Sequence, residues 1–455
     1  MEARFETRRR EIEEDCRLPE SVVQELAGRL HAFAQPFAAA FVRREQREHF
    51  EAYVSGLLSE VGRKTAETIA YWLGLKRKGL QDFIGVSPWG VRPLIAELVG
   101  QVGGEMKDPG GIVVFDPSAH PKKGTHSVGV ARQWCGRLGK VENCQVGVYM
   151  GYVTERAHAL VDFRLYLPGE WARDKTRRRE CGVPRDVRFQ TRHALCLEML
   201  AEHCEKLPHA WVGGDVEMGR SSRFRGDLRG LGEQYLLGVP SNTTIRDLDA
   251  APPTRSGPGR PPERPFQRVD KWVRSLPESA WSRATIRDAE KGPLEVDIVK
   301  RRVQARTDTR QAGPEELLVV VRSADEGGAV KHDYHLSNAP AATELSELAR
   351  VANAEHRIEE CLKRAKSHAG LSEYESRTWL GWHHHQALSL IATWFLTREA
   401  GRKKKGGAGA DGGSGGQGVG VGHATSGDHS RRDSALHGAS AQAQRGGALL
   451  PLLRA

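Results

Sequence analysis

No two of the seven cysteines in this 455-residue sequence form a CxxC pair; Cys16, Cys135, Cys144, Cys181, Cys196, Cys204 and Cys361 are scattered. That gives no support to a cysteine zinc knuckle or a disulfide framework, so reduced and mostly buried thiols are expected. No apolar run approaches the roughly 18 residues that a membrane-spanning helix requires. The opening segment MEARFETRRREIEED lacks the apolar stretch of a secretory signal. A cytoplasmic protein with no membrane partner is the expectation. GGEMKDPGG lacks the strand-to-helix setting of a dinucleotide-binding loop and reads as a linker.

What the sequence does have is positive charge. A hydrophobic share of 39% with 28% charged residues describes a globular chain, and the formal net charge is +10. Each phosphate neutralised by Lys or Arg releases condensed counterions, so a basic surface favours nucleic acid without proving it. The length allows two to four domains.

Residues 1–107 read as a helical domain. Val22, Val23, Leu26, Leu30 and Phe33 recur at helical spacing, as do Phe50, Val54, Leu57, Leu58 and Val61. RKTAETIAYWLGLKRKGLQDFIG reads as helix, turn, helix, and Ser87-Pro88 is expected to cap one more. The basic residues Arg63, Lys64, Arg77 and Lys78 suit docking on double-stranded DNA. An ordinary bundle with a solvated basic face fits them equally well.

From residue 108 the pattern changes. GGIVVFD, CQVGVYMGYVT, AHALVDFRLYLP, AWVGGD and QYLLGVP are strand-like, with helical segments between the later ones. Three adjacent strands followed by strands alternating with helices predict an α/β core with a mixed sheet over 108–240. TRSGPGRPPERP then breaks the rhythm, and LEVDIVKRRVQART, ELLVVVRSA and KHDYHLS read as a separate β-rich sheet within 241–340. The core is expected to resume over 341–400, with a long helix from about Thr343 to Ala369 and then a buried one. Residues 401–455, Gly-rich and without apolar periodicity, are expected to be a disordered tail.

Asp116 follows the apolar run GIVVF and Asp215 follows AWVGG. Acids directly after central strands lie at a sheet edge where ligands bind in open α/β sheets, although either one alone is more often a helix cap or turn residue. In AEHRIEECLKRAK, the residues Ile358, Cys361, Leu362 and Ala365 form one apolar stripe, with Glu359 at its flank and Glu360 nearly opposite. Helical geometry alone leaves both glutamates as exposed charges paired with Lys363 and Arg364.

The blocks FDPSAHPKKGTHSVGVARQWCGRLGKVENCQVGVYMGYV, AHALVDFRLYLPGEWARD, WVGGDVEMGR, HRIEECLKRAK and YESRTWLGWHHHQ resemble consecutive blocks of the DDE transposases of bacterial insertion sequences. The branch resembled has an RNase H-like core interrupted by a β-strand insertion before the final Glu. The resemblance implies that Asp116, Asp215 and Glu359 are the catalytic acids and hold two Mg²⁺ ions, with Mn²⁺ able to substitute. It implies that Lys366 contacts DNA near the cleavage point, that the insertion lies over the active site, and that a homodimer forms on terminal inverted repeats and joins them to target DNA. Nucleoid association follows from such partners. Lys122, Lys123 and His126, just after the first acid, would grip a phosphate.

This sequence departs from the family's pattern in carrying Phe115-Asp116-Pro117, and in placing Glu355 and His356 where an Arg and an aromatic are usual. An acid at 355 would repel a phosphate. That leaves two alternatives open: a catalytically inactive DNA-binding remnant or regulator with the same fold, and a metal nuclease that cuts without strand transfer. His383, His384 and His385 cannot converge on one ion, because consecutive helical residues point about 100° apart. Trp379 and Trp382 are expected to serve core packing before base stacking.

Overall fold

The computed structural model describes residues 20–254, 263–287, 294–324 and 330–407. These fall into two compact units: residues 20–94, 365–375 and 388–407 in one, and the described residues of 95–364 with 376–387 in the other.

The first unit begins with α1 (Glu20–Ala38), α2 (Arg44–Leu57), α3 (Ala66–Trp72) and α4 (Arg77–Gly85). Phe41 packs against Phe50, Phe83 and Trp89 with ring centroids 5.1–5.8 Å apart, and the Trp89 indole donates to the Phe83 carbonyl. Thr65 caps α3 by accepting from the Thr68 amide. A Cβ at Gly56 would collide with Ile69, so this glycine lets α2 and α3 close together. The next helix, α5 (Val91–Glu105), starts later than Ser87-Pro88 predicts, and Pro93 takes the first-turn place.

The second unit is a mixed α/β structure built on one large sheet. Its strands begin with β1 (Ile112–Pro121), β2 (Ala131–Cys135), β3 (Lys140–Val153) and β4 (His158–Tyr166). Then come α6 (Gly169–Arg173), α7 (Lys175–Glu180), α8 (Arg192–His203), β5 (Trp211–Gly214), α9 (Val216–Arg220), α10 (Ser222–Gly230) and β6 (Tyr235–Gly238). In space β4, β3, β1, β5 and β6 are successive neighbours; β3 pairs antiparallel with both β4 and β1, while β1, β5 and β6 run parallel. Strands β1, β5 and β6 are buried on both faces, which is why their sequences read as unbroken apolar runs.

After β6 the chain adds β7 (Thr244–Asp247), β8 (Gln267–Arg268), α11 (Val269–Arg274), β9 (Ser282–Arg287), β10 (Leu294–Arg306), β11 (Ala312–Ala324) and β12 (Val330–Ser337). These strands are not a separate sheet, as the sequence predicts. β12 pairs antiparallel with β6, so the strands that follow β6 extend the same sheet. They do carry a hydrophobic cluster of their own, with Ile245, Trp272, Val303, Leu318 and Leu336 at its centre.

Two helices follow where one is predicted: α12 (Leu345–Ala352) and α13 (Ala354–His368), broken at Asn353. The last, α14 (Trp379–Gly407), continues past residue 401, and the remainder of the predicted tail lies outside the described residues. The cysteines described are all free and, apart from the half-buried Cys204, buried. Among the described residues no helix is long and apolar enough to cross a membrane.

Candidate active site

Strands β1 and β5 pair in parallel up to Phe115 opposite Gly214. Asp116 and Asp215 are the next residue on each strand, so the sheet places the two acids side by side where the strands part. Asp116 does not end its strand, contrary to the sequence expectation. β1 runs on to Pro121, with Asp116 opposite Tyr149 of β3. Beyond Phe115 the strand pairs with β3 alone, and a strand with one open side tolerates Pro117 and Pro121.

Asp215 caps α9, its Oδ1 accepting from the amides of Glu217 at 3.0 Å and Met218 at 3.1 Å. Among the described residues its Oδ2 takes no hydrogen bond. Gly219 holds this cap in place, since a Cβ there would strike the Gly238 carbonyl and push α9 off β6. Burial raises the Asp215 pKa to about 6; the two cap bonds oppose the shift, and the charges of Glu217 and Glu359 add to it.

Helix α13 brings the remaining acids. A Cβ at Gly151 on β3 would collide with Ile358, so the helix lies close on the sheet there. Glu359 is exposed, and Glu360 likewise. The His356 ring stands 3.6 Å from Glu359 and 3.5 Å from Glu360, in place of the expected Lys363 and Arg364. Glu355, one turn before Glu359, is half-buried. Burial raises its pKa to about 8, reinforced in order by the charges of Asp215, Glu359, Asp116 and Asp333. Asp333 comes from β12, and its neighbour Lys331, 3.0 Å from it, also senses Glu359 and Glu355. Strand β12 therefore brings an acid and a cation within electrostatic reach of these acids. Sequence reasoning missed both, because KHDYHLS shows only alternation.

The other expected residues sort by place. Lys122 and Lys123 follow β1 but stand six and seven residues beyond Asp116, about 20 Å or more along an extended strand. That puts them away from the acids. Lys122 is half-buried, with Asn143 of β3 holding its backbone, while Lys123 and His126 are exposed. Lys366 is half-buried and sits seven residues past Glu359 on α13.

In the helical unit Arg63 is exposed and pairs with Glu375, Arg77 with Glu67 and Lys78 with Asp82. Lys64 departs from expectation. It is 4% exposed, its ammonium donates to the His368 carbonyl, and burial lowers its pKa to about 8 against the opposing pull of Glu373. Its charge is used inside the unit, not on a DNA-facing surface. His384 and His385 are fully buried, and His383 packs on Phe163, Trp379 and Trp382.

Among the described residues the group with metal-ligand spacing is Asp162, Glu202 and His203, whose ligand atoms lie within 4.8 Å of one another. Arg164 already fills it, 2.6 Å from Asp162 and 2.7 Å from Glu202, with His203 2.8 Å from Asp162. A guanidinium in that position makes this an ion network fastening α8 to β4.

Raised acids fix the sign of a pH effect. Asp215 keeps its proton in the fold from its ordinary 3.8 up to about 6, and Glu355 from 4.5 up to about 8. Stability from such protons is complete below those windows and is lost as pH rises through them. Thermal melts in EDTA should therefore show these acids lowering the melting temperature from mildly acidic to mildly alkaline pH, and Glu355→Gln should flatten the upper part of the decline. A variant whose profile still matches the wild type above the Asp215 window would show that Glu355 does not feel these charges.

A family model described as DDE superfamily endonuclease matches residues 36–293, more than half of the chain. That span includes Asp116 and Asp215 and ends before Glu359. A curated relative, the probable transposase for insertion sequence element IS701 of Microchaete diplosiphon, is 34% identical over 120 residues. The alignment covers 26% of this chain and 31% of the relative, so the chain spans about a third of that protein's length. Among solved structures, a piggyBac transposase synaptic complex with hairpin DNA overlaps 84% of this chain and 74% of its own at 10% identity, with a TM-score of 0.35, too low to inform the fold.

Proposed function

Because the chain belongs to the DDE superfamily endonucleases, we propose that it is a transposase that binds transposon ends, cleaves a DNA strand beside them and transfers the freed end to target DNA. The observation that carries this reading is the placing of Asp116 and Asp215 side by side on parallel β1 and β5, with the charge of Glu359 acting on Asp215. The order β4, β3, β1, β5, β6 supports an RNase H-like core, in which the strands after β6 are the insertion.

An all-oxygen donor set fits divalent cations, which this superfamily uses. Asp116, Asp215 and Glu359 would hold two Mg²⁺, or Mn²⁺ in substitution, to activate a water and stabilise the attacking and leaving oxygens. Asp215 offers Oδ2, its other oxygen being committed to the α9 amides. Lys366 neutralises a phosphate near the cut, and Lys122 and Lys123 act farther along the duplex. Arg63, Arg77 and Lys78 present the helical unit's charge to the terminal repeat. A homodimer pairing two ends completes the reading.

A second reading, an inactive DNA-binding remnant, draws on Glu355, an acid placed among acids. Cleavage of a labelled duplex carrying the element's own end, in Mg²⁺ and in EDTA, separates the two. Metal-dependent nicking at the boundary supports the enzyme; tight, salt-sensitive binding with no nicking supports the remnant.

DNA docking by α4 has its own test. The Arg77 and Lys78 ion pairs are exposed and contribute little to folding. Arg77→Ala with Lys78→Ala should leave the fold intact and reduce the slope of log affinity against log salt by about two. Lys64→Ala should instead lower the melting temperature without changing that slope. An unchanged slope in the double variant would remove α4 from the interface.

A further inference from the structure

Glu355 lies one turn before Glu359 on the same flank of α13, and the contact of Ile358 with Gly151 fixes how that helix lies on the sheet. Its side chain is half-buried and makes no hydrogen bond or ion pair among the described residues. The acids whose charges bear on it are Asp215, Glu359, Asp116 and Asp333. Lys331, the cation that senses both glutamates, is bonded to Asp333. A carboxylate desolvated among carboxylates is unfavourable unless positive charge joins it.

Charge counting gives the arrangement a purpose. Three carboxylates leave two divalent ions one negative charge short of neutrality, and a DNA phosphate supplies the fourth. With Glu355 the protein supplies all four itself. Resting on the reading of Asp116, Asp215 and Glu359 as a metal centre, we propose that Glu355 is a fourth carboxylate ligand, so that this chain takes up both divalent ions before DNA arrives.

The test is Mn²⁺ titration of the full chain without DNA, after stripping with EDTA, with free Mn²⁺ followed by electron paramagnetic resonance. Wild type should hold two ions. Glu355→Gln should hold at most one at comparable affinity, the other weakened about tenfold or more. Glu360→Gln removes an exposed charge outside the cluster and should bind as wild type does. Melting temperatures guard against a folding artefact. Glu355→Gln should melt higher than wild type in EDTA and gain less from Mg²⁺, because ligand stabilisation follows the affinity for the folded state. A purely structural role predicts a lower melt in EDTA instead.

If Glu355→Gln binds two ions at wild-type affinity while Asp215→Asn has lost them, the metal centre stands and the fourth ligand does not. If Asp215→Asn also binds as wild type, the reading of the site fails along with the inference. Wild type taking up no Mn²⁺ until DNA is added would overturn early loading alone.

Discussion

Asp215→Asn is expected to reduce strand cleavage at least about a thousandfold while leaving binding of the DNA end and the fold nearly unchanged. The substitution separates two duties of one side chain. As a cap, Asp215 accepts from the Glu217 and Met218 amides, and asparagine caps helices about equally well. As the proposed ion ligand, the carboxylate offers a charged oxygen that the amide lacks, so metal-dependent stabilisation of the reacting phosphate should be lost. The amide also removes a buried charge, so the variant should melt no lower than wild type in EDTA. Single-turnover cleavage and end binding, measured on the same preparation, check both halves. Undiminished cleavage would remove Asp215 from the catalytic set, and a collapsed fold would mean that the cap had been misjudged.

The largest effect on stability is expected at Glu316. Glu316 is 3% exposed and Arg225 6%. Glu316 accepts from Arg225 Nε at 2.9 Å and from the Tyr235 hydroxyl at 2.6 Å, while another Arg225 nitrogen donates to the Gly219 carbonyl at 2.5 Å. Gly219 belongs to the helix that Asp215 caps, so this network ties β11 to that helix. Glu316→Ala leaves the guanidinium buried and uncompensated, which costs about 3–5 kcal/mol, or a drop in melting temperature on the order of 10 °C. Replacing both partners with apolar residues, as in Arg225→Met with Glu316→Leu, should recover most of the loss. A drop in the single variant of only a degree or two would show that water reaches Arg225.

Much of the core was legible in the sequence because buried parallel strands announce themselves. GIVVF and AWVGG are apolar without alternation, and an acid directly after each stood out for that reason. The continuation of β1 through two prolines was not legible, since its tolerance of them depends on β5 having departed. Nor was the joining of the inserted strands to the core, because the pairing of β6 with β12 depends on position in space and leaves no local mark. The i, i+4 spacing of Glu355 and Glu359 was visible on α13, but the closeness of Asp215 and Asp333 to Glu355 belongs to the tertiary structure. Lys64 misled for the same reason: basic charge in a helix-turn-helix reads as surface until His368 and Glu373 fold back on it.

The pairing of β6 with β12 also bears on how the protein is made. Strands β1 and β5, far apart along the chain, must find each other, and β6 must wait for a partner synthesised after the whole insertion. Such long-range pairings are slow to form. Glu359 emerges from the ribosome later still, so a nascent chain carries both aspartates before it carries the glutamate. A ribosome stalled between β6 and β12 would thus display both aspartates on a sheet whose β6 edge is still unpaired.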